Sequence, residues 1–408
     1  MSFFKQTITS VPLEGTTVLL RADYNVPLTK DGSIDDDFRI RSSLPTIKRL
    51  LKDNCKVVII SHLGRPEGRE AKFSLEPIAQ RLAELLGESV RFVDKTIGDK
   101  AMMAIKRAPK RSVIVLENLR FYPEEEANDE NFARQLAKTS GARYFVQDGF
   151  GVVHRAHAST SAITLQLPSV AGLLLEKEYT TITNAMKTPK RPLVAVMGGA
   201  KVSDKIAVIQ EFVAVADTII IGGAMANTFL AYRGYAVGKS KVEADQTPTL
   251  ELIYKAAQQK VGVERVDEFI VLPADVAVAT EIDPQAERQT VQVANISKTD
   301  IALDIGDQSI TRMADIIASA ATVVWNGTLG YAELPQFAHG SARLALALAT
   351  QPQTVSIIGG GDTADFVLKW DARKGQSFTH VSTGGGASLE LMAGEKLPGI
   401  ESLLDARK

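Results

Sequence analysis

The sequence predicts an α/β protein of two doubly wound parallel-sheet (Rossmann-like) domains, joined by a helix and able to bend about a hinge. Three observations carry this reading. Short apolar, β-branched runs recur along the chain, and several are apolar throughout, as in parallel strands covered on both faces. Stretches of helical periodicity lie between many of them, the alternation that builds βαβ units. At 408 residues the chain exceeds what one ordinary core accommodates.

In order, the first-half runs are TVLLRAD (17–23), KVVIISH (56–62), SVIVLEN (112–118) and YFVQD (144–148), with SLEPIAQRLAELLG (74–87) helical among them. GLLLEKEYTTITNAMKTPKRP (172–192) puts Leu175, Tyr179, Ile182 and Met186 at helical spacing and then meets Thr188-Pro189 and Arg191-Pro192. It reads as an amphipathic helix stopped by proline. Comparable strand sets on either side make it the connector. The second-half runs are LVAVMGG (193–199), TIIIGG (218–223), FIVLPAD (269–275), TVVWNG (322–327), VSIIGGG (355–361) and HVSTGGG (380–386), with SITRMADIIASAA (309–321) helical. The expected organisation is a domain over 1–172, a connector helix over 173–188 and a domain over 189–398.

Composition narrows the function classes. Apolar residues make up 45% and charged residues 23%, as in soluble globular proteins. A net charge of −1 offers no electrostatic footprint for nucleic acid. No apolar stretch approaches the roughly 20 residues that span a bilayer. MSFFKQTITSVPLEG has no long apolar core and no cleavage-like site. The expectation is therefore a cytoplasmic protein with neither nucleic-acid nor membrane partners. The single cysteine, Cys55, cannot form an internal disulfide; beside KVVII it reads as a buried thiol.

Ligands of open parallel sheets bind beyond the carboxyl ends of the strands. In the first half the residues there are Arg21, Asp23 and Asn25; His62, Gly64 and Arg65; Asn118 and Arg120; and Asp148, His154, Arg155 and His157, with Arg39 in the polar stretch DDDFRIR. Arginine forks match carboxylate and phosphate, so a small molecule with more than one anionic group fits. In the second half they are Gly198, Gly199 and Lys201; Gly222 and Gly223; Asp275; Asn326 and Gly327; Gly359 to Asp362; and Gly384 to Gly386. Glycine turns that open helices suit nucleotide phosphates, and a nearby aspartate suits Mg²⁺. Two anion-binding edges suggest that one ligand passes a phosphoryl group to the other.

Plainer readings compete at several positions. His157 fits a structural role as well as a ligand role, and Lys205 fits a solvated helix as well as a phosphate contact. Glu124 to Glu126 read as a solvated charge run rather than a metal cluster. No stretch fits the P-loop pattern. GGGDTA (359–364) fits the relaxed dinucleotide pattern, which keeps a nucleotide-dependent oxidoreductase open, but no clear ribose-binding acid follows about 20 residues on. A two-domain solute-binding protein without catalysis would leave Lys201 and the aspartate idle.

The ordered set VLLRADYNVPL, DDDFRIRSSLPTI, ISHLGRP, ENLRFYPEE, DGFGVVHRAHAS, VMGGAKVSDKI, GGAMANTFL, LPADVAVA, IGGGDTADF and STGGGASLELMAGEKLPG resembles phosphoglycerate kinases over essentially the whole chain. The resemblance implies that residues 399–408 fold back on the first domain. It implies that Asp23, Asn25, Arg39, His62, Arg65, Arg120 and Arg155 hold 3-phosphoglycerate or its bisphosphate. Lys201 would meet the transferred phosphoryl, and Lys205 the nucleotide phosphates. Glu333 would take the ribose hydroxyls, Gly359, Gly360, Gly361, Asp362 and Thr363 the nucleotide phosphates, and Asp362 the Mg²⁺. Gly306 belongs to the same expected nucleotide edge. Arg39, Lys201 and the backbone of Gly385 and Gly386 would stabilise the phosphoryl in transit between ADP/ATP and phosphoglycerate. The expected partners are these small molecules, and the expected state is a monomer. Thr328 stands where the family usually has proline, Ala332 where it has an aromatic, and Asp307 where it has proline.

Overall fold

The structure, a computed structural model, describes residues 3–406; the first two residues of the expected domain 1–172 and the last two of the expected segment 399–408 lie outside the described residues. The chain divides into two units, one of Met1–Thr180 with Lys396–Lys408 and one of Thr181–Glu395. The helix Leu173–Lys187 runs across the division.

The first unit holds β1 (Thr17–Arg21), β2 (Lys56–Ile60), β3 (Val90–Val93), β4 (Val113–Leu116), β5 (Tyr144–Gln147) and β6 (Ser169–Ala171) in one parallel sheet, ordered β3-β4-β2-β1-β5-β6. Alternate strand residues point to opposite faces. Val18, Leu20, Val57, Ile59, Val113 and Val115 pack with Ile47, Leu50, Ile78 and Leu82 of the helices Phe38–Lys52 and Glu76–Leu86. Leu19, Val58, Ile60, Ile114 and Phe145 pack with Ile105, Phe132 and Leu136 on the other face. Burial on both faces explains the unbroken apolar runs. Edge strand β3 is VRFV, with Arg91 exposed, so it stood outside those runs. The order in which strands are added reverses between the parallel β1 and β5, the switch point where ligands bind in such sheets.

The C-terminal segment is tied to this unit. Gly399 N–H donates to Val153 O at 2.8 Å, Leu404 N–H to Ser169 O at 2.9 Å, and Lys5 Nζ pairs with Asp405 at 2.7 Å.

The second unit repeats the plan with β7 (Leu193–Met197), β8 (Thr218–Ile221), β9 (Ile270–Val271), β13 (Thr322–Asn326), β14 (Val355–Gly359) and β15 (His380–Val381), ordered β15-β14-β13-β7-β8-β9. Its switch point lies between β7 and β13. A smaller antiparallel sheet, β11-β10-β12, is made by β10 (Asp275–Ala279), β11 (Gln289–Gln292) and β12 (Ile301–Ile305). FIVLPAD is thus split between two sheets. Pro273 has no N–H for a ladder, and the N–H groups of Ala274 and Asp275 turn instead to Ser309 Oγ, at 2.9 and 3.1 Å. Among the described residues, no helix is long and apolar enough to cross a membrane.

Candidate active site

Parallel strands place the ends of β1, β2, β4 and β5 on one edge, and the charged residues of the first unit follow them. Asp23 is buried and accepts from Arg39 Nη1 at 3.0 Å; the same nitrogen reaches Asn25 O at 3.1 Å. Asn25 donates its N–H to Asp23 Oδ1 at 3.1 Å and accepts the Gly64 N–H on Oδ1 at 2.8 Å. Gly64 O accepts from Arg120 Nη1 at 2.6 Å, and Arg120 Nε pairs with Glu126 at 2.9 Å. Gly64 has φ +65°, and a Cβ there would lie 2.3 Å from the Phe73 ring, so only glycine closes this turn.

Electrostatics bind the rest of the set to this network. Burial alone would raise the Asp23 carboxyl, but Arg39, His62, the Asn25 N–H and Arg21 together hold it below the usual range. Burial lowers the Arg120 guanidinium against the pull of Glu126, and Arg155 and Arg65 lower it further, so these three arginines share one field. Arg65 is exposed, whereas Arg155 is half-buried and donates Nε–H to His154 Nε2 at 3.1 Å. His62 is pushed well below the ordinary imidazole value by burial, against Asp23 and with Arg21, Arg120 and Arg39. Burial, and then Arg21, bring His157 down to about 4. Both rings are therefore neutral at pH 7, while guanidinium groups crowd the site. An anionic ligand would relieve that crowding.

Two residues of this region, Glu125 and Ser159, were not among the sequence candidates for chemistry; Arg21, which was, is bonded into their network. Glu125 lies inside the run read as solvated, yet it is buried; Ser159 donates to it through N–H at 3.0 Å and Oγ–H at 2.5 Å. Arg21, also buried, donates Nε–H to Ser159 Oγ at 2.8 Å. Nothing in three consecutive glutamates marks the middle one as internal.

The second unit builds its site from backbone. At its switch point Gly198 N–H donates to Asn326 O at 2.9 Å and Gly199 N–H to Thr328 O at 3.0 Å. A Cβ on Gly198 would lie 2.2 Å from Thr328 O, and one on Gly327 2.2 Å from Gly198 O, so the two turns touch only because neither carries a side chain. Lys205 Nζ donates to Gly198 O at 2.7 Å and Asn326 O at 3.2 Å. Burial lowers its ammonium to about 8 against the opposing fields of Asp362 and Asp204. Lys201 is exposed; the turn after it is anchored by Glu243, which accepts the N–H groups of Val202 and Ser203 at 2.7 and 3.1 Å.

Next to β13, β14 ends in the turn Gly359 to Gly361, with Gly360 at φ +87°. Asp362 is exposed in the first turn of the helix Gly361–Trp370. Thr363 is buried, and its Oγ accepts the Gly327 N–H at 2.7 Å, which joins the two strand ends. Asn326 Nδ2 is buried without a hydrogen-bond partner, and a Cβ on Gly359 or Gly360 would lie 3.2 Å from it. A Cβ on Gly359 would also lie 3.5 Å from Ser388 Oγ, which itself donates to Gly385 O at 2.7 Å. Gly385, at φ +51°, opens the helix Gly386–Met392 beside that turn.

Among the described residues, Gly306 and Glu333 make no hydrogen bond to this group. Glu333 is exposed. Gly306 has a packing reason of its own: a Cβ there would lie 2.3 Å from the Asp275 carboxylate, which caps the helix Asp307–Ala318 by accepting the N–H groups of Gln308 and Ser309 at 3.0 and 2.8 Å. Asp307, unusual in the resemblance, pairs with Arg288 at 2.8 Å in that helix's first turn, where negative charge is favourable.

Two doubly wound units, one edged with guanidinium and imidazole and the other with glycine turns and a lysine, define a small-molecule phosphotransferase of the two-domain α/β class. The model of the phosphoglycerate kinase family matches residues 8–395. The phosphoglycerate kinase of Pelotomaculum thermopropionicum is 45% identical over 403 residues, covering 98% of this chain and 99% of that one. That of Moorella thermoacetica is also 45% identical, over 402 residues, with 98% and 99% covered. Among solved structures, phosphoglycerate kinase from Coxiella burnetii superposes with a TM-score of 0.83 at 34% identity, covering 98% of each chain. The chain belongs to the phosphoglycerate kinase family.

Proposed function

We propose that the chain catalyses reversible, Mg²⁺-dependent transfer of the acyl phosphate of 1,3-bisphosphoglycerate to ADP, giving 3-phosphoglycerate and ATP, with one ligand held by each unit. The observation that carries this reading is the division of anion chemistry: arginine and histidine side chains on the first unit's strand edge, backbone N–H groups and lysines on the second's. In this reading Asp23, Asn25, Arg39, His62, Arg65, Arg120 and Arg155 bind the phosphoglycerate. Lys205, Glu333, Gly306 and Gly359 to Thr363 serve the nucleotide.

The reverse reaction has a carboxylate nucleophile, already ionised at pH 7, so no general base is needed. What remains is alignment, exclusion of water and stabilisation of charge on the moving oxygens. Arg39 and Lys201 supply positive charge to the phosphoryl, and the N–H groups at Gly385 and Gly386 supply backbone donors. Transfer requires the units to bring their two ligands together.

Mg²⁺ usually takes one or two carboxylates and completes its shell with water and phosphate oxygens. Asp362, an exposed carboxylate beside the glycine turn, is a donor of that type, and among the described residues no group of three His, Cys, Asp or Glu forms a dedicated cage. The ion would offset phosphate charge.

The test is a coupled assay of ATP formation from 1,3-bisphosphoglycerate and ADP, with and without Mg²⁺. Turnover that needs the metal is the expected result. No ATP under either condition overturns the proposal.

A further inference from the structure

We infer that Arg21 is a positioning residue that locks His62 into the neutral tautomer with its proton on Nε2, so that the ring serves phosphoglycerate as an uncharged hydrogen-bond donor. The donor role rests on the assignment of His62 to the phosphoglycerate site proposed above; the tautomer does not.

The inference starts from one contact: Arg21 Nη2 lies 3.2 Å from His62 Nδ1, with both residues buried. A guanidinium has five N–H donors, no acceptor, and keeps its proton in proteins. Nδ1 must therefore accept. A neutral imidazole that accepts at Nδ1 carries its hydrogen on Nε2.

Arg21 is not free to turn away. Its Nε–H is spent on Ser159 Oγ at 2.8 Å and its Nη1 on Ala22 O. Ser159 Oγ passes its own hydrogen to Glu125 at 2.5 Å, which sets the hydroxyl lone pairs toward Arg21. Glu125, buried close by, is the largest attractive charge on that guanidinium. The chain of donors thus runs in one direction, from Arg21 to His62 on one side and through Ser159 to Glu125 on the other.

Protonating Nδ1 would set N–H against N–H. Burial opposes such a charge most, and an imidazolium would also stand among Arg21, Arg120 and Arg39, with Asp23 favouring it. The consequence is chemical. Beside Arg39, Arg65, Arg120 and Arg155, all permanently charged, His62 adds a directed N–H and no charge. The ligand site then keeps one charge state at neutral pH as far as this ring is concerned.

The test is long-range ¹H–¹⁵N spectroscopy of the full chain labelled at histidine, with His62→Gln used to assign the ring. The expected wild-type spectrum has Nδ1 unprotonated and Nε2 protonated, with no titration between pH 5.5 and 8. A proton on Nδ1, or a midpoint near the ordinary imidazole value, overturns the inference. Addition of 3-phosphoglycerate is expected to move the Nε2 signal. An Nε2–H tautomer that ignores the ligand overturns the donor role and the site assignment, while the lock stands. Arg21→Met is expected to let the ring titrate and to raise KM for phosphoglycerate about tenfold, with Arg21→Lys recovering part of it. Because Arg21 is buried, Arg21→Met can fail to fold; the wild-type titration then decides alone.

Discussion

Lys205 shows how much a single residue's surroundings decide. Its Nζ donates to two carbonyl oxygens, and burial lowers its ammonium to about 8 from 10.5. Below that value it is a cation ready for phosphate; above it, an amine. If nucleotide binds the charged form, ADP affinity should be level below pH 7 and fall about tenfold between pH 7 and 9, since each pH unit above the pKa removes most of the remaining cation. Calorimetry across that range checks this, and Lys205→Arg, charged throughout, should abolish the slope. An identical slope in both proteins would assign the effect elsewhere. Lys205 entered the candidate site through the family resemblance, whereas residues at strand ends were legible in the sequence because they follow apolar runs, and a strand's end can be read from where the run stops. Arg21, at the end of TVLLRAD, was legible in that way, but Ser159 and Glu125, which hold it in place, were not. Arg21 and Ser159 are 138 positions apart, and only the pairing of β1 with β5 brings their segments together.

At the scale of elements, the glycine turns separate two kinds of requirement. Gly198 and Gly327 are glycine because two backbones meet there, whatever ligand is bound. Gly361 has open space at its Cβ and no left-handed φ, so its substitution reports on ligand approach alone. Gly361→Ala should weaken ADP binding without moving Tm. Gly385→Ala should lower kcat while ADP affinity stays within about twofold if, as proposed, the N–H groups of Gly385 and Gly386 act on the phosphoryl in transit. It should also lower Tm by a few degrees, since φ there is +51°. Equal losses of ADP affinity in both variants would make the Gly385 turn an ordinary nucleotide loop. Most of the long strands buried on both faces were announced by the sequence. The edge strand β3, the three-residue β6 and the antiparallel sheet after Pro273 went unannounced: β3 exposes Arg91, β6 is buried but too short to make a run, and the buried β10 follows FIVLP without a break and pairs with the exposed β11.

For the whole molecule, chain length and the alternation of strands and helices were enough to anticipate two doubly wound units. The return of the C-terminal segment to the first unit was anticipated only through the family resemblance, since it depends on a few bonds such as Gly399 to Val153 and Lys5 to Asp405 that no local pattern encodes. The central claim is that each unit owns one ligand. The first unit's cations gather around Asp23, and the second unit's donors gather at the β7/β13 switch point. Calorimetry of 3-phosphoglycerate and of ADP, each titrated separately into Arg65→Ala, Arg120→Ala and Glu333→Ala, tests this most directly. The two arginine variants should each lose about tenfold or more in 3-phosphoglycerate affinity and keep ADP affinity within about twofold, and Glu333→Ala should do the reverse. Comparable losses for both ligands in all three variants would contradict it.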